Sequence, residues 1–99
     1  MPLLCFAFIV KGPGYLPGEH CAEIASPQFC TRVVGVCDLA SAISAAQQLI
    51  DQGVQLIELC GGFSEGEAAE LRQQTGNKVP VGVVVYTPEQ AQVLQQLFG

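Results

Sequence analysis

Three apolar runs, at 32–37, 54–60 and 79–86, organise most of the chain, and a helix-start signal follows each of them. The first, Arg32-Val33-Val34-Gly35-Val36-Cys37, is rich in β-branched residues and predicts a strand. Asp38 then stands as an N-cap before Leu39, Ile43, Ala46 and Ile50 at helical spacing, and Gly53 is the natural end of that helix. The second run, Val54-Gln55-Leu56-Ile57-Glu58-Leu59-Cys60, has strand length and closes at Gly61-Gly62. Ser64 and Glu67 have the spacing of a capping box, Phe63 and Ala68 that of a hydrophobic staple, and Gly76 ends the second helix. The third run, Val79 to Tyr86, predicts a strand whose Pro80 must lie in its first residues or on an edge. Thr87 caps a third helix with Pro88 at its first position, Gln90 at its third and a stripe of Ala91, Leu94 and Phe98.

Leu3-Leu4-Cys5-Phe6-Ala7-Phe8-Ile9-Val10 predicts a further buried strand, because it is far shorter than the about 20 residues of a membrane helix. It also lacks the basic flank and small-residue cleavage site of a secretion signal. The breaker-rich stretch from Lys11 to Gly18 predicts a loop. Residues 19–29 fit two periods. Cys21, Ala22, Ile24 and Ala25 suit a helical stripe, whereas His20, Ala22 and Ile24 suit an alternating strand with Ser26-Pro27-Gln28 as a hairpin turn onto 31–37.

Strands alternating with helices across short connections predict one small layered α/β domain spanning 1–99. Its expected sheet is parallel or mostly parallel and four-stranded, with room for an extra antiparallel strand near 20–25, and it carries three main helices. Apolar runs without alternation further imply that both sheet faces are covered.

Composition adds an expectation about partners. Hydrophobic residues make up 49% of the chain and charged residues 13%, against about 25% charged in an average soluble protein. A domain this short exposes much of its surface, so an apolar excess calls for cover, most simply from another copy. A homo-oligomer is the expectation, with a tightly packed monomer as the alternative. The net charge of −5, with four Lys and Arg in all, excludes the basic surface that nucleic acid or anionic membrane would need. Five cysteines, none in C-x-x-C spacing, match neither a disulfide scaffold nor a zinc ribbon and point to a reducing cytoplasm.

In parallel sheets, ligands bind beyond the carboxyl ends of the strands. The residues there are Lys11, Cys37 and Asp38, Cys60-Gly61-Gly62, and Tyr86, with His20 in a nearby loop. Cys60 precedes a helix start, where oriented amides favour a thiolate, although Glu65 and Glu67 put acidic charge in the same turn. Gly61-Gly62 would let backbone amides approach a small anionic metabolite, or would simply make a tight turn; without G-x-G-x-x-G a dinucleotide is not expected. Glu58 points to the same strand face as Cys60. Its structural explanation is an ion pair with Arg32 or Lys78, and its catalytic one is acid/base work beside the thiol. His20, Cys21 and a distant Cys60 make a poor ligand set, so neither a metal nor another cofactor is expected, and Asp38 and Tyr86 are most simply a cap and a packing residue. Three functions remain: a binding or assembly protein, a cofactor-free isomerase, racemase or lyase using Cys60 and Glu58, and a structural subunit covered by a different protein.

Val33-Val34-Gly35-Val36, Gly53 to Phe63 and Lys78 to Val84 together resemble a family of short bacterial proteins catalogued as a domain of unknown function, with Glu58-Leu59-Cys60-Gly61-Gly62-Phe63 as the most specific segment. The resemblance covers roughly residues 3 to 86 and includes Ala7-Phe8-Ile9 and His20. It implies a bacterial cytosolic origin and a compact α/β fold, and brings no activity with it. Members of that family end in a glycine-rich tail, from which the helix from Thr87 to Phe98 would be a departure.

Overall fold

The computed structural model describes all 99 residues, Met1–Gly99. The elements run β1 (Cys5–Lys11), β2 (Cys21–Ala25), β3 (Cys30–Val36), α1 (Leu39–Asp51), β4 (Ile57–Leu59), α2 (Glu65–Gln74), β5 (Val81–Val83) and α3 (Pro88–Phe98). They form one five-stranded sheet in the order β2-β3-β1-β4-β5. β3, β1, β4 and β5 are parallel, and β2 is antiparallel to β3. The mostly parallel α/β fold expected from the sequence is therefore the observed one, and segment 19–29 resolves into the edge strand and hairpin. Ser26 closes that hairpin, its Oγ accepting from the amides of Gln28 and Phe29 at 3.2 and 3.1 Å.

The caps form where the side chains predict them. Asp38 accepts from the Ser41 amide at 2.8 Å, Ser64 and Glu67 make a complete capping box, and Thr87 accepts from the Gln90 amide with Pro88 at the first position. Two strands are shorter than their apolar runs. In β4 the stretch before Ile57 is pinned by a side chain, since Gln55 Oε1 accepts from the amides of Leu4 and Cys5 in place of a ladder carbonyl. β5 begins after Pro80, which has no N–H to donate. It ends at Val83 because its neighbour β4 gives way to the Gly61-Gly62 turn, leaving Val85 and Tyr86 without a strand to pair with.

The connections β3-α1-β4 and β4-α2-β5 both step across the sheet in the same direction, and right-handed crossovers then place both helices on one face. That face holds the core. Ala7, Ile9, Val34, Val36, Ile57, Leu59 and Val81 meet Ala42, Ala45, Ala46 and Leu49 of α1 and Ala68 and Leu71 of α2. Arg72 fastens the edge, donating from Nε and Nη2 to the Val81 carbonyl at 2.9 and 2.8 Å and from Nη1 to Glu65 at 2.9 Å.

The opposite face corrects the expectation that both sides of the sheet are covered. Strand alternation and register put Phe6, Phe8 and Val10 on that side, with Val33 of β3, Ile24 of β2 and Glu58 of β4. No helix lies over them. α3, which a closed two-sided layer would place there, buries none of its residues. Loop residues give partial cover: Phe29 of the hairpin packs on Phe6 with ring centroids 5.9 Å apart, and Tyr15 of the 12–20 loop lies so close to Gly35 that a Cβ there would meet its ring at 2.8 Å. The accessible surface is 6241 Å², against about 5,400 Å² for a compact monomer of 10.5 kDa. The radius of gyration, 14.0 Å, likewise exceeds the about 12.6 Å of a compact chain this long.

Candidate functional site

The C-terminal ends of β1, β4 and β5 lie along one rim, as parallel strands require. At its centre β1 ends at Lys11, whose main-chain N–H donates to Cys60 Sγ at 3.2 Å, the thiol standing where a ladder carbonyl would otherwise be. The Lys11 ammonium turns to α2, lying 3.1 Å from Glu67 Oε2 and 5.0 Å from the centroid of the Phe63 ring. Glu67 is thereby used twice, since its Oε1 also accepts from the Ser64 amide at 3.0 Å. The backbone hydrogen bond from Ser64, and then Lys11, hold its carboxyl below the ordinary range. Asp38 is lowered too, first by the Ser41 amide and more weakly by the charge of Lys11.

Beside this cluster opens a groove of about 590 Å³ lined by Cys60, Gly61, Gly62, Phe63, Tyr86 and Leu94, among others. Its floor is the glycine turn. Neither Gly61 nor Gly62 has positive φ, and a Cβ on Gly61 would come no closer than 3.5 Å to Tyr86 and one on Gly62 no closer than 3.4 Å to Cys60 Sγ. The turn therefore does not need glycine for its backbone, contrary to the simple structural explanation of the pair. What the missing side chains leave is open floor and two main-chain amides that find no acceptor within the chain.

The rim gathers Lys11, Asp38, Cys60, Gly61, Gly62 and Tyr86, but two candidates lie apart from it. His20 lines a different cavity of about 320 Å³ on the bare sheet face with Tyr15, Val10, Ala22, Val33 and Gly35. Its Nδ1 accepts from the Leu16 amide at 2.8 Å, and the ring packs on Tyr15 at 5.4 Å. Glu58 sits on the exposed face between Phe8 and Gly82 and makes no ion pair or hydrogen bond, with Cys60 or any other group. Neither expected partner reaches it. Arg32 is on the helix side, its Nε 3.3 Å from Glu23 and its Nη1 bonded to Gln52, while Lys78 forms no salt bridge. The Nε–H does not point at the carboxylate, so that contact is an ion pair without a hydrogen bond. These groups occupy a groove of about 520 Å³ between α1 and β2.

All five cysteines are free thiols. Cys5 and Cys30 are direct register partners on β1 and β3. The Cys30 thiol, which donates to Glu23 Oε2 at 3.4 Å, is pushed up first by the adjoining Cys5 thiol, then by burial and by Glu23. No group of three or more His, Cys, Asp or Glu side chains is placed to hold a metal ion. No helix is long and apolar enough to cross a membrane. Residues that the sequence marked only as parts of helices complete the rim: Glu67 as the partner of Lys11, and Ala91 and Leu94 as one wall of the groove.

The segment from Glu58 to Phe63 that builds this rim lies within a match to a family of unknown function, DUF6506, over residues 4–99. The chain belongs to that family. The DUF6506 match runs through α3 to Gly99, so the last helix is part of the family's length and not a departure from it. No curated protein and no solved structure matches the chain.

Proposed function

We propose that this DUF6506 protein is a homo-oligomeric small-molecule-binding protein of the bacterial cytoplasm, whose ligand sits in the rim groove over Gly61 and Gly62. The uncovered apolar sheet face carries the assembly half of the reading, because a parallel sheet in water needs both faces covered. The five free thiols suit a reducing compartment.

For the ligand, a groove of about 590 Å³ falls within the about 300–1,000 Å³ range of small-molecule sites. Its walls, Phe63, Val84, Tyr86, Ala91 and Leu94, are apolar, and the two unpartnered glycine amides supply polar anchors for a carboxylate. Glu65 at the groove and the neutralisation of Lys11 by Glu67 disfavour a multiply charged anion. The fitting ligand is a small monocarboxylate with an apolar body. The catalytic alternative gains no comparable support, since Glu58 has no contact with Cys60.

Sedimentation equilibrium of the full chain tests the assembly half. A species of twice 10.5 kDa or larger supports it, and a monodisperse 10.5 kDa species overturns it. Thermal shift against a panel of short and branched monocarboxylates tests the ligand half. Stabilisation that Gly61→Leu abolishes supports the site, and stabilisation unaffected by that variant places the ligand elsewhere.

A further inference from the structure

Two apolar surfaces of this chain lack cover, and they are of different shapes. One is the flat sheet face of Phe8, Val10, Val33 and Ile24. The other is α3, whose Val93, Leu94, Leu97 and Phe98 form one side of an amphipathic helix, with Leu97 68% and Phe98 81% exposed. A helix stripe and a bare sheet are complementary partners in layered α/β proteins. In this chain they do not meet. The start of α3 leans on the rim turn through Ala91 and Leu94, and Tyr86 packs 3.5 Å from the position of a Gly61 Cβ, so the helix is carried beyond the end of its own sheet.

We propose that α3 of each copy lies across the bare sheet face of a second copy, giving a reciprocal dimer in which two helices exchange seats. This rests on the self-assembly reading above and names its contact. Area supports a second copy as the occupant. Val93, Leu97 and Phe98 of α3 and Ile24 of the seat are exposed apolar side chains that do not line the ligand groove, and in a reciprocal pair each chain buries both surfaces. The 6241 Å² of accessible surface exceeds that of a compact monomer by about 800 Å², the area each partner loses in a standard interface. Each chain supplies one helix and one seat, so a twofold pair satisfies both with nothing left over.

The dimensions agree as well. Eleven residues of helix span about 16 Å, enough for three to four strands at about 4.8 Å spacing. A cavity of about 320 Å³ between Tyr15, His20 and Val33 opens on that face and can take an apolar side chain of the incoming helix. Glu58, exposed on β4, bounds the apolar seat on its far side.

Two variants of the full chain test the exchange, one spoiling the helix (Leu97→Asp with Phe98→Asp) and one spoiling the seat (Ile24→Lys with Val33→Lys). The helix variant alters only exposed side chains, so its circular dichroism should match the parent. By sedimentation, each variant alone should dimerise about 100-fold more weakly or worse. Mixing the two should restore dimer, because one heterodimer keeps one intact helix on one intact seat. If the helix variant dimerises as the parent does, the exchange is overturned while self-assembly stands. If the mixture fails to associate although both variants are folded, the contact is not reciprocal and the proposal fails. A parent chain that is monomeric at all concentrations overturns both this proposal and the reading beneath it.

Discussion

The Lys11 main-chain N–H donates to Cys60 Sγ at 3.2 Å, so the residue that looks most like a nucleophile is also the acceptor that finishes strand β1. Removing the acceptor while keeping the volume isolates this role. Cys60→Val should destabilise the protein by about 1–2 kcal/mol through the orphaned amide, and Cys60→Ser should cost less. Urea unfolding of the three proteins checks the order. Equal losses for Val and Ser would show that the bond contributes nothing.

The pair of Lys11 and Glu67 gives a pH dependence of definite sign. Folding holds the Glu67 carboxyl below its ordinary value. Its stabilisation is therefore complete above the unfolded-chain value of about 4.3 and is lost as pH falls through the lower folded value. Glu67→Gln keeps a capping-box residue but removes the charge. The variant should be less stable than the parent at pH 7, with the gap closing below about pH 4, as thermal melts across that range would register. A gap independent of pH would assign the loss to the cap alone.

Arg72 ties the end of α2 to the carbonyl of Val81 on the open edge of the sheet. Arg72→Met retains most of the stem and loses the hydrogen bonds, which at a half-exposed site should cost about 1–2 kcal/mol. Hydrogen exchange should report the loss first in β5. A uniform loss of protection over the whole sheet would contradict a local role.

The thiols should react in the order of their exposure and chemistry. Cys21 and Cys37 are exposed and should be alkylated first, and Cys30, whose thiol is raised by Cys5 and by burial, should be last. Peptide mapping after timed iodoacetamide treatment gives the order. Fast labelling at Cys30 would show that the Cys5 contact does not persist in solution.

Gly61 has ordinary φ and room for a methyl group, so Gly61→Ala should leave the melting free energy unchanged or raise it by about 0.5 kcal/mol. A loss of more than about 1 kcal/mol would mean the turn itself requires glycine.

Much of the fold is legible in the chain because its punctuation is local. Asp38, the Ser64–Glu67 box and Thr87-Pro88 mark three helix starts, and each forms as its neighbours dictate. Strand β2 is not legible for the opposite reason. All five of its residues are exposed, so no burial rhythm separates strand from helix. The bare face is hidden by a different ambiguity, since Phe8 and Val33 give the same apolar run whether a helix of their own chain or of another covers them. Of the rim, the residues at the ends of strands could be enumerated, but the Lys11 to Glu67 pair spans 56 positions and is set by the crossover of α2, which no local pattern encodes. Glu58 misleads because alternation would carry on to Cys60, whereas β4 ends at Leu59 and the thiol packs against the buried core while Glu58 stands on the open face.

Small-angle X-ray scattering of the full chain across a concentration series measures particle mass and size together and bears most directly on whether a second copy completes the sheet. The expected particle has twice the mass of the 10.5 kDa chain and a radius of gyration well above 14.0 Å, with both values falling on dilution. Scattering that stays at 10.5 kDa and about 14.0 Å up to the highest concentration would contradict the account.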